Sequence, residues 1–304
     1  MLRNLDGLSL LSKDMPKKRL CVVFAHDEFV LEAVKEALDL NIIEPILIGD
    51  AKVIKTILIK LNVSFENIQI IDELNPEQAT KIAMELVHQN QADIIMKGLI
   101  DTKFLLKGVV NNEYGIKSKP LLSHVGIISI PEYDRVLFAS DGAMMIQPTF
   151  EEKIAIVDNA VELAHHLGYT LPKVGIVSSV EKVNPKIEST VHADMLKKHF
   201  ENATDRIVDG PYAIDNLVSK ESVIHKGIHS PVAGIADILI FPNLDAGNVF
   251  YKTAVFLAHG DSAGLVVGAL VPIIVTSRSD TPKAKLNSIL LAGVFHHGLF
   301  TSHN

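Results

Sequence analysis

The chain has 304 residues, 48% of them hydrophobic, enough apolar material for about two domains with cores of their own. Its 29 basic and 36 acidic residues leave a net charge of −7 with the basic residues scattered, which argues against a nucleic-acid or membrane-surface protein. The single cysteine, Cys21, excludes an intrachain disulfide, reads as a core thiol in the run LCVVFA, and makes the cytoplasm the expected compartment. The segment LSLLS is too short and interrupted for a secretory signal. The apolar run 263–275 is too short to span a bilayer and contains Gly264, Gly268 and Pro272.

Strands and helices alternate through the first third. LCVVFA, PILIG, NIQII and ADIIMKG are strands. Between them, Asp27 to Leu40 carries apolar residues at helical spacing, a second helix runs from about Ala51 to Leu61, and Asn75-Pro76-Glu77-Gln78 opens a third that ends near Gln89. Such alternation implies parallel strands with right-handed crossovers. Lys97-Gly98 then falls at the carboxyl end of a parallel strand, where open α/β sheets place ligands. Gly98 admits close backbone approach, Asp101-Thr102 caps the next helix, and Lys97, Thr102, Lys103 and Lys107 form a local positive cluster. Lys103 and Lys107 also fit a solvated helix face.

From Ser118 the pattern changes. LLSHVGIISI and RVLFAS read as an antiparallel pair, and Thr149-Phe150-Glu151-Glu152 is a capping box opening a helix to about Leu167. KVGIVSS is a strand, Asn184-Pro185 opens a helix to about Phe200, RIVDGP is a strand and turn, and 220–234 is a loop. Lys226, Ser230 and Ser178-Ser179 are further candidate contacts from turns. Two strand-to-helix turns then carry anion-binding chemistry. ADILIF leads into Pro242 to Asn248 and a helix bearing Tyr251 and Lys252. VPIIV leads into Thr276-Ser277-Arg278-Ser279-Asp280-Thr281, with Pro282 suited to a last helix from Lys283 to Val294. Ordinary capping accounts for the same residue types.

FPNLDAGNVFYK followed by this Ser-Arg turn, together with SPVAG (Ser230 to Gly234) and MKGLIDTKFLLKGVV (Met96 to Val110), resembles the phosphotransacetylase and phosphotransbutyrylase family. The resemblance runs from about Val22 onward and is closest to the butyryl branch. It implies an α/β fold of two α/β domains with a cleft between them, like isocitrate and isopropylmalate dehydrogenases. The expected division is 1–144 plus 283–304 for the first domain and 145–282 for the second. It also implies a cytoplasmic homodimer acting on acyl-CoA, phosphate and acyl phosphate, with CoA and phosphate as substrates, no separate cofactor or metal, and no nucleic-acid or membrane partner.

By the same resemblance Ser277 donates to the developing oxyanion, and Arg278 holds phosphate or the carbonyl oxygen. Gly247 and Asn248 line the pocket with Lys252 nearby, and Lys97, Gly98, Thr102 and Lys103 serve phosphate. Three departures stand out. The acetyl branch has an Asp seven residues beyond the motif serine as base for the thiol, and Ala284 stands there, which leaves Asp280 as the candidate base or as a helix cap. An arginine after the Asp-Thr-x step is Phe104, and a third arginine of the first domain has no match. Phe104, Met144, Met145 and Phe250 are the candidates for an acyl pocket.

Rival readings are weaker. FAHDEF replaces the GxGxxG of a dinucleotide site, no GxxxxGK motif is present, and the pairs His165-His166 and His296-His297 are not a zinc array. A non-catalytic CoA or acyl-phosphate binder is the alternative that Ala284 favours.

Overall fold

The computed structural model describes residues 2–277 and 280–301. The chain divides into two compact units, one of Asp6–Pro120 with Ala263–Asn304, the other of Leu121–Ser262 with Met1–Leu5.

The first unit opens with α1 (Gly7–Ser12), β1 (Lys18–Val23), α2 (Glu28–Asp39), β2 (Ile43–Gly49), α3 (Ala51–Lys60), β3 (Gln69–Asp72), α4 (Pro76–His88), β4 (Ile94–Lys97) and α5 (Thr102–Val109). The helices begin where the sequence places acceptors. Asp27 takes the Val30 N–H, Asp50 those of Lys52 and Val53, Asn75 those of Glu77 and Gln78, and Asp101 that of Lys103. Each such cap contributes about 1 kcal/mol. Gln78, which the sequence places to reach back to the cap as in a capping box, does not take the Asn75 N–H. Glu73 accepts the Asn75 N–H instead, and a carboxylate is the stronger acceptor.

The second unit contains β5 (Ser123–Ser129), β6 (Val136–Ser140), α6 (Phe150–His166), β7 (Lys173–Val177), α7 (Glu188–His199), β8 (Ile207–Tyr212), α8 (Ile214–Val218), α9 (Lys220–His225), β9 (Ile238–Ile240) and α10 (Leu244–Lys252), which continues into a π-helical turn, Thr253–Leu257. β5 and β6 are antiparallel, and β6, β9, β7 and β8 run parallel in the order β5-β6-β9-β7-β8. The Thr149 capping box is reciprocal, with Glu152. Asn184-Pro185 does not open α7: Asn184 closes a turn onto the Lys186 N–H and exchanges bonds with the Thr190 hydroxyl, so the helix starts at Glu188. The expected loop after Lys220 begins with α9, capped by Ser219.

The chain then completes the first unit with β10 (Asp261–Val267), β11 (Ile273–Ile274) and α11 (Pro282–Thr301), giving the order β3-β2-β1-β4-β11-β10. The parallel strands are β3 with β2, β2 with β1, β1 with β4, and β4 with β11, while β10 is antiparallel to β11. α11 is longer than expected and packs on α1, α2, β4 and β11, and its residues Ile289, Leu290, Leu291, Ala292, Val294 and Phe295 are buried. The division therefore differs from the expected 1–144, 145–282 and 283–304. The β5–β6 hairpin joins the second unit because β6 pairs with β9, and the return to the first begins by β11, which pairs with β4.

Cys21 lies in the fully buried face of β1, and burial pushes its thiol up to about 12. A thiolate reagent at pH 8 is thus expected to leave the native protein untouched and to titrate one thiol after denaturation. Rapid labelling of the native state would contradict the packing.

Candidate active site

Each unit gathers turns at the carboxyl ends of neighbouring parallel strands. In the first unit, Val23 of β1 pairs with Lys97 of β4, and Met96 pairs with Ile274 of β11. The turns after these three strands carry Phe24 to Asp27, Gly98 to Asp101 and, after β11, Val275 to Ser277, on neighbouring strands.

The first two turns are laced through backbone. The Gly98 N–H donates to the Val23 carbonyl and the Leu99 N–H to that of Phe24, each at 2.8 Å, and Phe24 itself has a positive φ of 61°. A β-carbon at Gly98 would lie 2.0 Å from the Phe24 oxygen, so glycine is required there by close approach. Lys97 is 7% exposed, and its ammonium donates to the Gly98 carbonyl at 3.2 Å. Thr102 begins α5 behind the Asp101 cap, while Lys103 and Lys107 face solvent and Lys107 pairs with Glu77 at 3.0 Å.

In the third turn the exposed Ser277 donates its N–H to Asp280 Oδ2 at 2.6 Å, and the Asp280 N–H returns to the Ser277 carbonyl at 3.1 Å. Thr281 caps the following helix by accepting the Ala284 N–H, so Asp280 is not that cap: one of its carboxylate oxygens engages the turn that carries Ser277. Arg278 lies outside the described residues.

Sequence reasoning missed Lys285. It is 2% exposed, and its Nζ donates to the Asp280 carbonyl at 2.5 Å and the Ser277 carbonyl at 3.5 Å. Burial lowers its pKa, with Asp280 and Asp27 opposing that shift. The available signal was a lysine one position past Ala284, heading an apolar helix where solvent does not account for it.

In the second unit, Ser140 of β6 and Ile176 of β7 both pair with Ile240 of β9, which brings the turns Asp141–Gly142, Pro242–Asn248 and Ser178–Ser179 to one edge. Asp141 is buried, accepting the N–H groups of His124, Ala143 and Met144. Gly247 packs on it: a β-carbon there would meet the Asp141 oxygen at 2.5 Å. Asn248 donates its amide to the Gly142 carbonyl at 3.1 Å, and Asn243 caps α10 through Ala246. Asp245 occupies the first turn of α10, where a carboxylate already answers the helix dipole. Lys252 is exposed in its last turn. The weaker candidates are engaged internally. Lys226 pairs with Glu181 and Asp215, Ser230 binds buried Asp209 and the N–H groups of Val232 and Ala233, and Ser178 bonds Ser189.

Lys97, Gly98, Thr102, Lys103, Ser277 and Asp280 thus belong to one unit, and Gly247, Asn248 and Lys252 to the other. Among the described residues no group of three or more His, Cys, Asp or Glu could hold a metal, and no helix is long and apolar enough to cross a membrane.

Residues 74–293 match the family described as phosphate acetyl/butaryl transferase. A phosphate butyryltransferase of Clostridium beijerinckii is 41% identical over 296 residues, covering 97% of this chain and 98% of that one. A phosphate acetyltransferase of Thermotoga maritima is also 41% identical, over 280 residues covering 91% and 95%. Among solved structures, a branched-chain phosphotransacylase from Enterococcus faecalis superposes with a TM-score of 0.85 at 32% identity, covering 92% of this chain and 99% of that one. These matches extend over nearly the whole chain and over both clusters of turns, so the chain belongs to the phosphate acetyl/butaryl transferase family.

Proposed function

We propose that this chain is a phosphate acyltransferase moving a short-chain acyl group, butyryl or branched, between CoA and inorganic phosphate. A phosphate oxygen bonds to the thioester carbonyl carbon, the C–S bond breaks, and CoA leaves as the thiolate that is then protonated. The reverse reaction deprotonates the thiol and expels phosphate. Ser277 donates to the oxyanion of the tetrahedral intermediate, and Arg278 holds phosphate or that oxygen. Asp280, anchored by one carboxylate oxygen on the Ser277 N–H, exchanges the thiol proton through the other. Lys97 and Lys103, with the Gly98 and Thr102 backbone, attract phosphate, and Gly247, Asn248 and Lys252 serve substrate binding. Fixed Lys and Arg charges suffice for the phosphate, so CoA and phosphate enter as substrates with no resident cofactor. A cytoplasmic homodimer is part of the same reading.

The observation that carries it is the adjacency of the Lys97 and Ser277 turns on neighbouring parallel strands, cationic chemistry beside a hydroxyl donor. The equal identity of the Thermotoga maritima acetyltransferase supports a second reading, acetyl transfer. One methylene is worth about 1–3 kcal/mol in an apolar pocket, so a panel of acetyl-, propionyl-, butyryl-, isobutyryl- and isovaleryl-CoA separates the two. Thiol release in phosphate buffer is expected to be fastest with four- or five-carbon groups. Preference for acetyl would keep the reaction and overturn the specificity, and CoA binding without release from any ester would leave a binding protein.

A further inference from the structure

We propose that Lys285 is a positioning residue for acyl transfer, holding the turn that presents Ser277 by its carbonyl groups. The inference rests on the assignment of Ser277 as oxyanion donor.

The location of Lys285 is costly on two counts. It is the fourth residue of α11, at the end of a helix whose dipole repels a cation, and its side chain is almost wholly removed from water. A buried ammonium persists only where its hydrogen bonds and countercharges are supplied. Here they come from the catalytic turn. Nζ reaches the Asp280 carbonyl at 2.5 Å and the Ser277 carbonyl at 3.5 Å. The neighbouring carboxylates that act on it are Asp280 and Asp27, and Asp27 is the residue that caps α2 after β1. The hydrogen bonds of the ammonium both go to the turn after β11, and Asp27 acts on it by charge alone.

Ser277 is consequently held on both sides of its peptide backbone, its N–H by the Asp280 carboxylate and its carbonyl by the Asp280 N–H and Lys285. An oxyanion donor works only at hydrogen-bond distance from the developing charge, and misplacement by about 1 Å can cost about a hundredfold. Holding that backbone still is a contribution to rate and not to substrate affinity.

The experiment is steady-state kinetics of phosphate-dependent CoA release by the wild type, Ser277→Ala, Lys285→Met, Lys285→Arg and the Ser277→Ala/Lys285→Met double variant. Lys285→Met is expected to lower kcat about 10- to 100-fold with KM for acyl-CoA changed less than about threefold. Lys285→Arg should recover about tenfold of that loss, and in the Ser277→Ala background Lys285→Met should cost clearly less than in the wild type, since it acts in part through Ser277. An impaired Ser277→Ala beside a fully active Lys285→Met would overturn the role of Lys285 alone, as would losses that multiply in full in the double variant. A fully active Ser277→Ala would overturn the oxyanion assignment and this inference with it. If Lys285→Met does not fold, Lys285→Gln, whose amide still donates to one carbonyl, takes its place under the same outcomes.

Discussion

Ser277→Ala is expected to lower kcat for CoA release from butyryl-CoA by about 10²–10³, the usual consequence of removing one oxyanion donor, with KM little changed. The Ser277 N–H is engaged by Asp280 at 2.6 Å, so donation from this residue to the substrate carbonyl falls to the hydroxyl. Initial rates over a range of acyl-CoA concentrations decide the matter. A variant within threefold of wild type would remove Ser277 from the chemistry.

The second large effect is structural. Gly98→Ala is expected to destabilise the protein by about 3 kcal/mol or more and to abolish most activity. The added β-carbon would lie 2.0 Å from the Phe24 oxygen, 2.6 Å from its carbonyl carbon and 2.9 Å from the Val23 oxygen. All three obstacles are backbone atoms, so no rotamer change relieves them. Relief requires the turn after β4 to leave the turn after β1, and Lys97, Thr102 and Lys103 move with it. Urea unfolding of the purified variant is the measurement; a loss under about 1 kcal/mol would mean that the two turns do not pack as described.

The helix starts were largely legible because their causes are local. Asp27, Asn75, Asp101 and Thr149 each cap at short range, and the sequence displays both partners within a few residues. The failure at Asn184-Pro185 has a local signature too, but a competing bond from the Thr190 hydroxyl turned it into a loop. The turns bearing Lys97 and Ser277 were legible as strand ends rich in small, polar and cationic residues. Their adjacency was not, because it rests on β11, two residues long, pairing with β4 far back in the chain. The same non-local pairing shifted the domain boundaries. Lys285 was hidden for the same reason: its burial exists only once α11 packs against α2, β4 and β11. Asp280 looked like a helix cap because Thr281, one residue later, offers the same chemistry and takes that role.

The most direct test of the account follows phosphorus and thiol together. Butyryl-CoA and inorganic phosphate are mixed with the enzyme, free CoA is titrated, and acyl phosphate is followed by ³¹P NMR. The account predicts one acyl phosphate for each CoA released, no release when phosphate is omitted, and both signals slowed together by about 10²–10³ in Ser277→Ala. CoA release without acyl phosphate would describe a thioesterase and contradict the proposed transfer.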